Sequence, residues 1–432
     1  MTNFTISTVV TTTQTLTSET GVILPGGALV TTTSAINGSG SSNIYIFGSL
    51  ISTAGSGVSF NGTTARIFVT GGNVSAGGQA IFANGILAVA SSEISFVNSG
   101  TITSAGDGVI LSLTNEATSN TFRFSNSGTI EGLEDGAAIG ALDVNTRLMN
   151  SGTISGVNGC GLAVNRGESV STHGIITIHN TGTISGGAGS IMGLFNPLVI
   201  LNAGIISGDA VLSTRADNYN GLNGIFTGTM FGGTGADTLR GGDGHESFDG
   251  GGDGDTLLGG GGNDTLMGDS GADLLRGGDG NDEIDGGNDA DQIFGNAGDD
   301  SLAGGDGIDV MLGGSGDDTL TGGLLRDVLT GGAGADVFDY NTASESPFSA
   351  HSDLIRDFEA GTDLIDLTDL NAGVFQFQGS GAFAGGGVAS VRVITTASGV
   401  SAVMVDVDGN GSTDFRILFA SELALGASDF LL

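Results

Sequence analysis

The stretch Gly259-Gly-Gly-Gly-Asn-Asp-Thr-Leu-Met267 is one of twelve consecutive nine-residue units that fill residues 232–339 without an insertion. The shared pattern is Gly-Gly-x-Gly-x-acidic-x-apolar-x. Position six is acidic in every unit: Asp237, Glu246, Asp255, Asp264, Asp273, Asp282, Asp291, Asp300, Asp309, Asp318, Asp327 and Asp336. Position eight is apolar in every unit, from Leu239 and Phe248 to Leu329 and Phe338. Acidic residues are only 47 of the 432 in the chain, so twelve in one phase do not follow from composition. Glycine reaches positive φ without a Cβ penalty, so each Gly-rich half-unit can turn sharply and expose its carbonyls. Carboxylates and carbonyls are the oxygen donors that a calcium ion requires, about six to eight at a time. The apolar residue sits on a short strand; one unit cannot bury it, but stacked units bury a continuous row. A flexible Gly-rich linker would need neither phase.

This nonapeptide resembles the RTX, or hemolysin-type, repeat of calcium-binding parallel β-rolls. The resemblance covers all of residues 232–339. It implies two nonapeptides per turn, the position-six carboxylates as metal ligands, and each calcium ion held between the loops of units i and i+2, about ten ions at most. The units are unequal. Asp253, Asp289 and Leu325 replace the glycine of position four, and Asp269 and Asn296 replace that of position two. Asp and Asn tolerate left-handed backbone; Leu tolerates it poorly, so the loop at Leu325 is expected to be the weakest. Glu246 is longer than Asp and is expected to bind more loosely.

The net charge is −36, and residues 232–339 alone carry 24 acidic residues against three arginines. Without a cation this block should repel itself and stay disordered, so that metal binding and folding are coupled. The chain has no lysine and no basic cluster, which argues against nucleic acid or an anionic membrane as partner. The single cysteine, Cys160, precludes an intrachain disulfide and reads as a small buried hydrophobe. No run is long and apolar enough to span a membrane. Met1-Thr-Asn-Phe-Thr-Ile-Ser7 lacks the basic and apolar regions of a secretory signal peptide, so an export address is expected elsewhere.

Residues 1–231 show a second, looser repeat marked by Asn-x-Gly-x-Ile: Asn98–Ile102, Asn126–Ile130, Asn150–Ile154, Asn180–Ile184 and Asn202–Ile206. An alternating run precedes each of most marks, such as Phe122-Arg-Phe124 or Ile176-Thr-Ile178, and a short apolar run follows several, such as Val109-Ile-Leu111. Period-two alternation argues for strands, two or three per coil of a parallel β-helix. The uneven spacing places loops of different length at one corner. The pattern resembles the β-solenoids of bacterial surface proteins and polysaccharide-active enzymes; an antiparallel β-sandwich is the alternative. The asparagines should stack at one corner as a hydrogen-bonded ladder. The expected architecture is all-β: a parallel β-helix with an irregular N-terminal cap over 1–215, a linker over 216–231, the β-roll over 232–339, and a C-terminal cap and secretion module over 340–432.

No catalytic set stands out. Arg123 and Arg147 hold equivalent outward positions, and Asp107 and Asp135 match one another, so the four are the candidates for a sugar-binding face. His173 and His179 read as surface or corner residues rather than a metal pair. Tryptophan is absent and only three tyrosines occur, so aromatic sugar platforms are scarce. His245-Glu246 begins a zinc-protease motif, but residue 249 is Asp, so His-Glu-x-x-His is absent.

In the tail, Asp353-Leu-Ile-Arg-Asp-Phe-Glu-Ala-Gly-Thr-Asp-Leu-Ile-Asp-Leu367 resembles the segment that closes the β-roll in serralysin-type proteases. The resemblance implies a capping strand pair, with Asp353, Asp357 or Asp363 as candidates to complete a last calcium site. Strands are predicted over Val388–Thr395 and Val400–Val407. Asp406-Val-Asp-Gly-Asn-Gly411 resembles the start of an EF-hand loop, but Ile417 stands where its bidentate glutamate belongs, so the segment reads as a hairpin turn into Asp414–Phe419. The ending Asp429-Phe-Leu-Leu432 resembles an uncleaved type I secretion signal. That implies a Gram-negative bacterium, export of an unfolded chain, the secretion machinery as a partner, and an extracellular or cell-surface location. The expected function is a secreted calcium-binding structural or adhesive protein, self-association included. The alternative is a uronate lyase or epimerase with the β-helix as its catalytic domain and a polysaccharide as partner.

Overall fold

The computed structural model describes residues 4–17, 20–31, 35–54, 56–69, 72–87, 94–114, 121–141, 145–164, 174–348, 351–370, 374–383 and 385–432. They form strands throughout, with only two short 3-10 turns at Thr368–Leu370 and Ala427–Asp429. The chain divides into two compact units, Met1–Thr234 and Gly235–Leu432.

The first unit is a stack of parallel coils with three strands per coil. Thr121–Asn126, Thr129–Gly132 and Ala137–Ala141 make one coil; Asn145–Asn150, Thr153–Gly156 and Cys160–Val164 make the next. Each strand pairs in parallel with its equivalent, Phe124 opposite Leu148 and Ile130 opposite Ile154. The second strands of successive coils form a ten-stranded sheet of their own, from Val9–Val10 to Ile225–Thr227. Inward side chains alternate with outward ones, so Phe124, Ile130, Leu148, Ile154, Ile178 and Ile184 are fully buried. Phe96 and Phe124 stack with centroids 4.7 Å apart.

Most of the irregular spacing of the repeat arises at one corner. In the five coils that carry the Asn-x-Gly-x-Ile mark the first corner is two residues long, as at 127–128, 151–152 and 181–182, whereas the interval before the next first strand covers 115–120, 142–144 or 165–175. The two-residue corner needs glycine: a Cβ at Gly128 or Gly152 would collide with the carbonyl oxygen of the glycine one coil earlier. The asparagine at that corner is buried. Nδ2 of Asn98 donates to Oδ1 of Asn126 at 2.8 Å, and the relay continues through Asn150 and Asn180 to Asn202. The amides satisfy one another from coil to coil, as the sequence predicts.

The expected linker at 216–231 is not one. Asn218–Asn220, Ile225–Thr227 and Met230–Thr234 are strands in register with the preceding coil, Ile200 opposite Tyr219 and Ile206 opposite Phe226. Tyr219, Phe226 and Met230 supply buried residues there, but the Asn-x-Gly-x-Ile mark is missing, which hid the coil. Phe226 is a core residue, its ring centroid 6.0 Å from that of Tyr219. Cys160 is buried beside Ala138 and Ala163.

In the second unit each nonapeptide contributes one strand, and strands pair in parallel with a shift of two units. Leu257 lies opposite Leu275, Leu266 opposite Ile284 and Leu302 opposite Leu320. Two units therefore make one turn of the roll. All twelve position-eight residues, Leu239 to Phe338, are at most 1% exposed. Beyond the repeats the register continues: Leu354–Ile355 pairs with Val328–Ala333, and Leu364–Asp366 with Val337–Asp339. A three-stranded antiparallel sheet, Ser390–Thr395, Ser401–Asp406 and Phe415–Phe419, follows the predicted hairpins. Its last strand runs parallel to Leu354–Ile355, and the terminal Phe430–Leu431 runs parallel to Leu364–Asp366. Tyr340, Phe358, Phe415 and Phe419 pack edge to face at this end.

Candidate metal centre

The glycine pattern sets the loops. Among the described residues, every non-glycine with left-handed φ is one of the five substitutions at positions two and four: Asp253 (74°), Asp269 (67°), Asp289 (77°), Asn296 (81°) and Leu325 (85°). Asp253, Asp289 and Leu325 all belong to odd-numbered units, so with two units per turn they share one edge of the roll.

Position six lines the inside of these turns. The backbone N–H of each position-six residue donates to Oδ1 of the position-six aspartate one turn on, from Asp237 to Asp255 at 2.7 Å through Asp318 to Asp336 at 3.0 Å. The row does not end with the repeats. Asp327 N–H donates to Asp353 at 2.9 Å, and Asp336 N–H to Asp363 at 3.1 Å. Asp353 and Asp363 are therefore the successors of position six, separated from it by longer connections. Asp357 serves differently, taking the amides of Gly331 and Gly332.

One carboxylate oxygen is thus spent on the ladder. The other, Oδ2, is buried and lacks a hydrogen-bond partner in every position-six aspartate from Asp255 to Asp336, and in Asp353. These oxygens face the opening glycine of their own unit: a Cβ at Gly250 would meet Oδ2 of Asp255, and one at Gly286 that of Asp291. A buried carboxylate oxygen without a donor is costly and calls for a cation. Burial pushes the carboxyls of Asp264, Asp273 and Asp309 up to about 6, and those of Asp255, Asp282, Asp291, Asp318 and Asp327 up to about 7, against the pull of the ladder amide. Asp353, the most enclosed, rises to about 9. The donors are oxygen only, the carbonyl of the opening glycine one turn on lies against the same spot, Gly268 at Gly250 and Gly304 at Gly286, and a hard divalent cation fits.

Glu246 departs from its companions. Its N–H joins the ladder through Asp264 at 2.7 Å, but its own Oε2 takes the amide of Gly242 at 3.3 Å. The extra methylene folds the carboxylate back on its own loop. The neighbouring His245 accepts the amide of Asn263 through Nδ1 at 2.6 Å. That contact begins a second ladder at position five of the even units, through Asn263, Asn281, Asp299 and Asp317, which the sequence pattern did not reveal.

The first unit holds no comparable centre among its described residues. Arg123 and Arg147 are in register on the exposed face, and Asn145, Thr146, Arg147, Ile175 and Thr177 line a shallow depression. Asp107 and Asp135 do not join them. Both are buried at another corner, where Asp107 accepts the amide of Asp135 at 3.0 Å and Asp135 that of Cys160 at 2.9 Å. They close the coil and are withdrawn from the sugar-binding face. His179 is half-buried, and His173 lies outside the described residues.

With this geometry in view, residues 224–257 match the family model of the RTX calcium-binding nonapeptide repeat (four copies), and residues 259–432 match that of the peptidase M10 serralysin C-terminal domain. The chain carries RTX repeats followed by a serralysin-type C-terminal domain. Calcium is the ion such repeats bind. No curated protein matches the chain. The solved structures that show similarity include two subunits of the Azotobacter vinelandii mannuronan C5-epimerase. AlgE6R3 is 26% identical over 37% of this chain and 79% of its own, with a TM-score of 0.20. AlgE6R2 is 30% identical over 33% of this chain and 88% of its own, with a TM-score of 0.26. At such TM-scores the likeness carries no argument about this chain.

Proposed function

We propose that this protein is a secreted, calcium-dependent structural or adhesive protein whose roll folds when it meets extracellular calcium. The carrying observation is the row of buried aspartates from Asp255 to Asp336, each with one oxygen on the ladder and one left for a cation. Position-six residues from Asp237 to Asp336 are the ligands in this reading, with Asp353 extending the row. Glu246, folded onto Gly242, is the weakest of them. A chain this acidic does not collapse by itself; at the low calcium of a cell interior it stays open for export, and outside it folds. RTX repeats and serralysin-type C-terminal domains are typical of secreted proteins, which supports the location. Asp429 and Phe430 are buried in the folded end, Asp429 accepting the amide of Gly361 at 2.8 Å. An export machinery would therefore read the terminal residues before folding.

The adhesive role is tested by retention of the full chain on cell surfaces and acidic polysaccharides, in calcium and in chelator. Calcium-dependent retention is expected; equal retention in both contradicts the proposal. The exposed Arg123–Arg147 pair favours an acidic polymer as second reading, that of a uronate lyase or epimerase. NMR of polyuronates incubated with the protein separates the two, because unsaturated ends or inverted C5 centres appear only with an enzyme.

A further inference from the structure

A second arrangement of carboxylates lies away from the ladder, in the turn between Ser401–Asp406 and Phe415–Phe419. Asp406, Asp408 and Asp414 each bring a carboxylate oxygen within 4.8 Å of the other two. Exposed acidic residues in a turn often cluster without a ligand, and Asp408 is exposed. Asp406 is different. It is 0% exposed; its Oδ2 accepts the amide of Gly411 at 2.7 Å, and its Oδ1 is buried with no hydrogen-bond partner. An ionised carboxylate in that position is short of a positive group.

We propose that residues 406–414 form a separate site for one calcium ion, independent of the roll. The ligand set is oxygen only, which selects a hard cation. Positions one, three and five of a calcium loop are Asp406, Asp408 and Asn410, the glycine of position six is Gly411, and position nine is Asp414. Gly409 and Gly411 take left-handed φ of 69° and 91°, which wraps the loop round its own centre. Asp414 already turns inward, accepting the amide of Val407 at 2.9 Å. Ile417, buried in the strand, stands where a bidentate glutamate would close a high-affinity loop. Water must complete the shell, so the affinity belongs with extracellular modules, at about 10⁻⁴–10⁻³ M. The turn is the hairpin expected from the sequence, and the proposed ion would sit within it.

The site has a structural consequence. The strand that leaves the loop, Phe415–Phe419, pairs with Leu354–Ile355 at the end of the roll. Calcium in the turn would fasten this cap after the roll's own ions have bound.

The test compares the full-length protein with D408N and with D408N/D414N, by equilibrium dialysis against radioactive calcium across the micromolar to millimolar range. Asparagine retains an acceptor for the turn amides at both positions, and Asp408 is exposed, so the fold is retained. The expected result is the loss of one weakly bound ion per chain, with the tighter class unchanged. Hydrogen exchange in millimolar calcium should then rise over 401–419 and stay the same over 259–339. Unchanged ion counts in both variants overturn the proposal. So does a loss of ions in the tight class while 259–339 remains protected, since that would place Asp408 and Asp414 in the roll's own binding.

Discussion

At the scale of single residues, backbone sign and carboxylate geometry decide what each unit does. Five non-glycines stand where glycine is the rule, and all five adopt left-handed φ. The sequence made them legible because a strict glycine pattern marks where φ must be positive. Leu325 is the strained one, since it lacks the side-chain amide or carboxylate that steadies Asn and Asp there. Replacing it by glycine is expected to stabilise the roll by about 1 kcal/mol in saturating calcium, measured by denaturant unfolding. Asp291→Asn keeps an oxygen for the amide of Asp273 but removes the charge. It should raise the calcium concentration for half-folding by about tenfold, equivalent to about 1.4 kcal/mol, read from a circular dichroism titration. Glu246→Asp should act in the opposite direction by freeing the carboxylate from Gly242. The burial of Asp107 and Asp135 was not legible, because pairs of acidic residues at matched positions look alike whether they face water or close a turn.

At the scale of elements, periodicity carried most of the information and its loss marks the errors. The Asn-x-Gly corner was legible because two requirements coincide, a glycine under the next coil and a buried amide that must be satisfied. Asn150→Ala removes the central rung, breaking bonds to Asn126 and Asn180 in a buried setting. A destabilisation of the first unit by about 1–3 kcal/mol is expected, visible in thermal unfolding and as faster exchange around 126–180. The coil at 216–231 escaped because its corner is built on Tyr219, whose hydroxyl meets Asn202 Nδ2 at 3.5 Å, in place of another asparagine. Asp353 and Asp363 continue the ladder at spacings of 26 and 27 residues rather than 18, so a nine-residue period could not place them. Only the resemblance of the tail pointed there.

At the scale of the whole molecule, the concentration of negative charge turns folding into a calcium-dependent event. In the calcium-free roll, burial holds carboxyls near 6–7 that titrate at 3.8 in the unfolded chain. Between those values the folded state binds more protons than the unfolded one. Stability from this source is full below 3.8 and is lost as the pH rises through 6–7. Calcium-free protein should therefore gain β-structure on acidification from neutral pH, in circular dichroism. In calcium the trend should reverse, because protons then compete for the same oxygens. The first unit carries few such groups and should respond little. The most direct test of the central claim is peptide-resolved hydrogen exchange of the full chain, calcium-free and in millimolar calcium at neutral pH. The account predicts that 259–339 exchanges rapidly without calcium and is strongly protected with it, while 121–141 and 176–212 are protected in both. Equal protection of 259–339 in the two conditions would contradict it.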